Sequence, residues 1–155
     1  MKNYKFEIFA DYFQIYLMDV EADEDTSDIW TEQALNIKLG ILANTLAIST
    51  FRNVDVPLEV EIHDSQPEIS LEEWDHASID YFTVTSGQCA VFGCSDYLPD
   101  AARIEVAPGK YSAISLAKGL DSITEEWEDA DDLYKIILWP SAASECKALK
   151  HYEHT

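Results

Sequence analysis

Positive charge is scarce in this chain. Ten Lys and Arg stand against thirty Asp and Glu in 155 residues, a formal net charge of −20. So few cations argue against unaided binding to nucleic acid or to an anionic membrane, both of which recruit Lys and Arg. Glycine is also scarce, at five residues. That leaves little room for phosphate-cradling loops, and no GxSxG or HExxH run is present. The three cysteines, Cys89, Cys94 and Cys146, are an odd number without zinc-site spacing. They read as small buried residues in a reducing compartment, not as a disulfide framework. No apolar run approaches the ~20 residues that span a bilayer. Charges within the first eleven residues interrupt what would have to be the core of a signal peptide. The expectation is a cytoplasmic protein with no cofactor and no structural metal.

What the chain does have is core material. Apolar residues make up 47% and aromatics 12%, which excludes a disordered acidic tail. The length suits one domain spanning residues 1–155. Most of the sequence alternates with period two. Tyr4, Phe6 and Ile8 share one strand face, and residues 12–18, 45–50, 56–62, 77–84, 88–92, 103–106, 110–116 and 133–139 read as further strands. Pro108-Gly109 is a turn signal that joins two of these as a hairpin. One helix is expected, with Asp28 as its N-cap, Trp30, Ala34, Ile37 and Ile41 at helical spacing, and Gly40 as its stop. The predicted fold is mainly β: an antiparallel β-sandwich of about eight or nine strands with one short α-helix.

The negative charge is concentrated in runs without a Lys or Arg: residues 19–32, 59–75 and 121–132. Loops of a sandwich gather at its ends, so two such runs at one end would create a negative field that captures a basic partner. The competing reading is a solvated surface that keeps the protein soluble. Trp30, Trp74 and Trp127 are each embedded in an acidic run. Tryptophan normally anchors a loop to the core, whereas an exposed Trp ringed by carboxylates is an interface hot spot. Trp127, with no apolar neighbour nearby except Ala130, is the expected exception.

Other chemistry is thinly represented. Starting at Glu21, residues Asp23, Asp25 and Glu32 fall at positions three, five and twelve of an EF-hand pattern, but Thr26 stands where glycine is required. Calcium held by acidic loops is therefore the alternative function. His63, His76, Glu72, Glu73 and Asp75 are the candidates for acid–base catalysis, in a region with no apolar pocket indicated; His151 and His154 fall in the last residues. Arg52 and Arg103 are expected to pair structurally with carboxylates. No catalytic residue is assigned, and the chain reads as a binding protein.

The order of an early Tyr12-Phe13-Gln14 strand, an acidic loop, Trp30-Thr31 with Ala34 beyond, and a strand ending in Arg52-Asn53 resembles the competence protein J family, cytoplasmic inhibitors of a bacterial DNA-entry nuclease. The resemblance implies a stoichiometric inhibitor or immunity-like protein whose partner is a basic nuclease or toxin. The charge reading, reached from composition, agrees. The expected partner-binding set is Asp23, Glu24, Asp25 and Asp28 with Glu125, Glu126, Trp127, Glu128 and Asp129.

Overall fold

The structure, a computed structural model, describes residues 1–96 and 98–152; His154 lies outside them. Eleven strands and one α-helix follow in chain order: β1 (Lys2–Phe9), β2 (Gln14–Asp19), α1 (Glu32–Ile37), β3 (Leu39–Leu42), β4 (Thr45–Ser49), β5 (Asp55–Ile62), β6 (His76–Val84), β7 (Gln88–Gly93), β8 (Ala102–Glu105), β9 (Gly109–Lys118), β10 (Leu133–Pro140) and β11 (Lys147–Lys150). They form a six-stranded sheet, β1-β5-β10-β9-β6-β11, and a five-stranded sheet, β3-β4-β2-β7-β8. The mainly-β, one-helix expectation holds. The strand count is corrected from eight or nine to eleven, and the pairing is not wholly antiparallel, because β10 runs parallel to β5.

The main core lies between the sheets. Val56, Leu58, Val60, Phe82, Tyr134, Ile136 and Leu138 of the first sheet meet Ile15, Leu17, Leu46, Ile48 and Val91 of the second. Both sheets are apolar on their outer faces as well, and here the acidic runs have a structural task. Residues 64–75 cover the first sheet, where Ile69, Leu71 and the buried Trp74 pack on Ala77, Ile79, Ile114, Leu116 and Ile137. Residues 20–31 cover the second, where Val20, Ala22, Ile29 and Trp30 pack on Tyr16, Met18, Ala47, Ala90 and Phe92. Each run is thus an amphipathic strap, with apolar side chains buried against a sheet and carboxylates facing water.

Several local expectations are corrected. The second strand begins at Gln14, not Tyr12. Asp11–Phe13 is a 3-10 turn in which Tyr12 and Phe13 adopt φ of 57° and 63°. It is held by the Phe13 N–H donating to Ala10 O and the Tyr12 N–H donating to Asn53 Oδ1. The helix starts three residues late, because Ile29 and Trp30 belong to the strap. Its N-cap is Thr31, whose Oγ1 accepts from the Ala34 N–H at 3.1 Å, and it stops at Lys38 in the left-handed region. Asp28 instead closes a 3-10 turn, Thr26–Asp28, and Gly40 lies in β3. Pro108-Gly109 does turn the chain, but β8 pairs with β7 while β9 pairs with β6 and β10. The chain therefore crosses from one sheet to the other here, as it does at Ser86-Gly87 between β6 and β7.

Asp19 fixes that second crossing. Fully buried at the end of β2, its Oδ2 accepts from the Thr85 N–H at 2.5 Å, the Ser86 N–H at 3.0 Å and Thr85 Oγ1 at 3.1 Å, while Oδ1 accepts from the Glu21 N–H. Burial opposes ionisation, but these donors outweigh it and hold the carboxyl at about 2. A carboxyl depressed in the folded state stabilises above its unfolded value and loses that contribution as pH falls through the folded one. Asp19→Asn is expected to lower stability by about 2 kcal/mol at pH 7, the gap closing between pH 4 and pH 2. Urea denaturation of both proteins across that range measures it.

Candidate functional site

The loop between β9 and β10, residues 119–132, closes on itself like an Ω-loop. At its neck Gly119 has φ 72°, and a Cβ there would lie 2.2 Å from the Asp131 carbonyl oxygen, so only glycine fits. Ser122 Oγ donates to Gly119 O at 2.6 Å and accepts from the Asp131 N–H at 2.8 Å, tying the two sides together. Leu120 and Ile123 pack under the loop against the core. With Lys38, Phe51 and Tyr152 they line an apolar cavity of about 400 Å³ beside its base.

The outer half of the loop is held by backbone. Arg52 Nη1 donates to Glu128 O at 3.0 Å, and the Asn53 N–H donates to Glu126 O at 2.8 Å. These carbonyls flank Trp127, so the chain is pinned on both sides of that residue while its indole projects outward. Trp127 is 64% exposed. The other tryptophans are not: Trp74 and Trp139 are buried, and Trp30 donates through its ring N–H to Gln14 Oε1 at 2.8 Å. Glu125, Glu126, Glu128 and Asp129 surround Trp127 and are exposed, with Glu128 accepting from Thr124 Oγ1. Sequence reasoning singled out this Trp on the absence of apolar neighbours, and burial agrees.

Arg52 is itself buried. Its Nε and Nη2 reach Asp132 Oδ1 at 2.9 and 2.6 Å, Tyr134 Oη donates to Asp132 Oδ2 at 2.8 Å, and the Phe51 N–H donates to Tyr134 Oη at 2.9 Å. The hydrogen bond with Asp132 raises the pKa of the guanidinium above its ordinary value. Structural pairing of Arg52 was expected; its grip on the Glu128 carbonyl was not, since no local pattern links positions so far apart.

The first half of the expected contact set lies elsewhere. Glu24 Oε1 accepts from the Asn44 N–H and Thr45 Oγ1, and Asp25 Oδ1 caps the next turn through the Ser27 N–H. Asp23, Asp25 and Asp28 are exposed on the strap. Glu24 is thus joined to the body at Thr45, whereas the Trp127 loop is joined beyond Ser49, at the other end of β4. Those two ends are about 13 Å apart at ~3.3 Å per residue. Among the described residues, no three His, Cys, Asp or Glu side chains gather where they could hold a metal ion.

The histidine candidates are committed to structural contacts. His76 is buried, its Nε2 paired with Ile37 O at 2.8 Å and its Nδ1 accepting from the Tyr152 N–H at 3.2 Å. Burial lowers its pKa, which suits the neutral ring this pairing requires. His63 Nε2 pairs with Glu61, which also meets Lys135 on the covered face of the first sheet. All three cysteines are free thiols, and burial raises the Cys89 pKa to about 12. Among the described residues, no helix is long and apolar enough to cross a membrane.

No protein-family model matches the chain, and no curated protein matches it in sequence. Solved structures do. The chain is similar to ComJ from Bacillus subtilis, an inhibitor of the DNA-degrading activity of NucA, with a TM-score of 0.66 over 91% of this chain and 96% of that one, at 13% identity. The fold is that of ComJ. A second structure, of crocagin biosynthetic gene J, aligns with a TM-score of 0.59 over 90% of this chain and 99% of the other, at 17% identity. The likeness to ComJ extends well past Asn53, where the sequence resemblance fades.

Proposed function

We propose that this protein binds and inhibits a basic nuclease or toxin as a stoichiometric inhibitor, without catalysing a reaction itself. One observation carries the reading: an exposed tryptophan set among carboxylates, on a loop fastened to the body on both sides of it. A bulky aromatic held rigidly loses little entropy on docking, and its acidic rim steers a cationic surface toward it. A nuclease that grips a phosphate backbone presents such a surface, and the loop offers carboxylates in place of phosphates. The ComJ fold supports the same reading. The setting is the bacterial cytoplasm, where three free thiols remain reduced.

Capture from the cell's own lysate at low salt, with release at high salt, is expected to yield a basic nuclease or toxin whose activity falls to zero at one equivalent of inhibitor. Glu126→Lys combined with Glu128→Lys is expected to weaken binding at least tenfold and flatten its salt dependence. An affinity unchanged by this double reversal rules out the loop as the interface. The alternative, a calcium-dependent module, requires a saturable thermal shift with calcium that sodium at matched ionic strength does not produce.

A further inference from the structure

Three aspartates are buried in this protein, and one of them lacks a fitting partner. Asp19 is surrounded by four donors, and Asp132 holds Arg52 and the Tyr134 hydroxyl. Asp80, 2% exposed, has among the described residues only the Tyr81 N–H at 2.9 Å on Oδ1 and the Cys146 thiol at 3.2 Å on Oδ2. A thiol is a weak donor. Among the described residues no Lys, Arg or His forms an ion pair with Asp80. Burial raises its pKa, the expected response of a carboxylate without a cation.

Asp80 also borders empty space. Between β6 and β3, where the two sheets approach, Asp80, Tyr81, Cys146, Thr31, Gln33 and Leu39 help line a partly enclosed cavity of about 250 Å³. Its walls combine an apolar side with a few polar groups, as sites for one extended side chain do. The acidic strap forms its rim: Ile29 and Thr31 line the cavity, and Asp28 and Glu32 adjoin them in the chain.

We propose that this cavity is an anchor pocket for a single arginine or lysine side chain of the basic partner, whose guanidinium or ammonium head pairs with Asp80. The inference rests on the inhibitor reading for the identity of the partner, whereas the pocket's chemistry can be tested without it. It also gives the strap a role separate from that of the Trp127 loop: the two acidic regions engage the partner at two separated points.

The test uses the whole protein with its Asp carboxyl carbons labelled for NMR, titrated with methylguanidinium and, as the neutral isostere, methylurea. Methylguanidinium is expected to shift the Asp80 carboxyl and the Tyr81 and Cys146 amides saturably, and methylurea to leave them unmoved. Asp80→Asn, which keeps size and shape, should weaken the probe at least tenfold. Gln33→Lys, an exposed change that tethers an ammonium at the cavity mouth, should block it to the same degree. A capped Gly-Arg-Gly peptide should compete for the same signals. Probe shifts that do not saturate, or that persist in Asp80→Asn, overturn the pocket. Binding of methylguanidinium without competition by the peptide overturns the docking of a side chain. Since no nuclease is present, a failed titration leaves nuclease inhibition standing, and failed inhibition leaves the titration standing.

Discussion

Replacing Arg52 with methionine is expected to cost about 3–5 kcal/mol of stability, and adding Asp132→Asn to that variant is expected to return part of the loss. Arg52 and Asp132 are both nearly inaccessible, so neither charge is screened by water. Methionine fills most of the guanidinium's volume but leaves Asp132 as a buried carboxylate with the Tyr134 hydroxyl as its remaining side-chain donor. That uncompensated charge, not lost packing, makes up most of the cost. Asparagine at 132 removes the charge and can still accept from Tyr134, so the second change relieves the first. Urea denaturation of the wild type, the two single variants and the double variant closes the cycle. Simple addition of the two costs would show that the pair acts by shape alone.

The same substitution should release the loop. Without Arg52 Nη1 the Glu128 carbonyl loses its anchor, while Asn53 still holds Glu126. Amide exchange at Glu128, whose N–H donates to Glu125 O, is expected to accelerate more than exchange at Asn53. Arg52 therefore links a buried ion pair to the display of an exposed side chain, and the Asp132→Asn rescue should recover stability without recovering that anchor.

Parts of this molecule are legible from sequence because their signal is local. The alternation of Tyr4, Phe6 and Ile8 or of Tyr134, Ile136 and Leu138 reports a buried strand face directly. The expected helix start lies too early because Trp30 sits at helical spacing from Ala34, yet Trp30 packs, with Ile29, flat across the outer face of a sheet. Periodicity cannot distinguish those two ways of being buried. Pro108-Gly109 announces a turn but not which sheet receives the next strand. β11 escaped notice because Lys147-Ala148-Leu149-Lys150 is short and half exposed at a sheet edge, with too little pattern to read. At the candidate site, Trp127 was legible by contrast: Trp74 has Leu71 three residues before it, whereas Trp127 is directly flanked by Glu125, Glu126, Glu128 and Asp129. Arg52–Asp132 and the cavity at Asp80 were not legible, since each depends on residues brought together from far along the chain.

Trp127→Ala is expected to weaken partner binding by about 2–3 kcal/mol, roughly 30- to 150-fold, while leaving the protein as stable as before. Stability should stay within about 0.5 kcal/mol because the side chain is 64% exposed and the loop is held by the backbone of its neighbours, which the substitution leaves in place. Trp74→Ala is the matching control. It removes a buried ring packed on the outer face of the first sheet, with Lys118 Nζ 4.8 Å from the ring centroid, and should cost about 3–5 kcal/mol of stability. The salt dependence separates the contributions within the loop. Trp127→Ala removes apolar contact and should leave the slope of affinity against salt unchanged, whereas reversal of Glu126 and Glu128 should flatten it. Trp127→Ala and Arg52→Met should not add, because a tryptophan on a released loop has already lost part of its advantage over alanine. Calorimetric titration of the wild type, Trp127→Ala, Arg52→Met, their double variant and the Glu126/Glu128 reversal against the captured partner, at low and high salt, measures the affinity, its salt slope and the coupling. A Trp127→Ala variant that binds like the wild type would move the interface off this loop and leave the strap around Asp28 as the surface to examine.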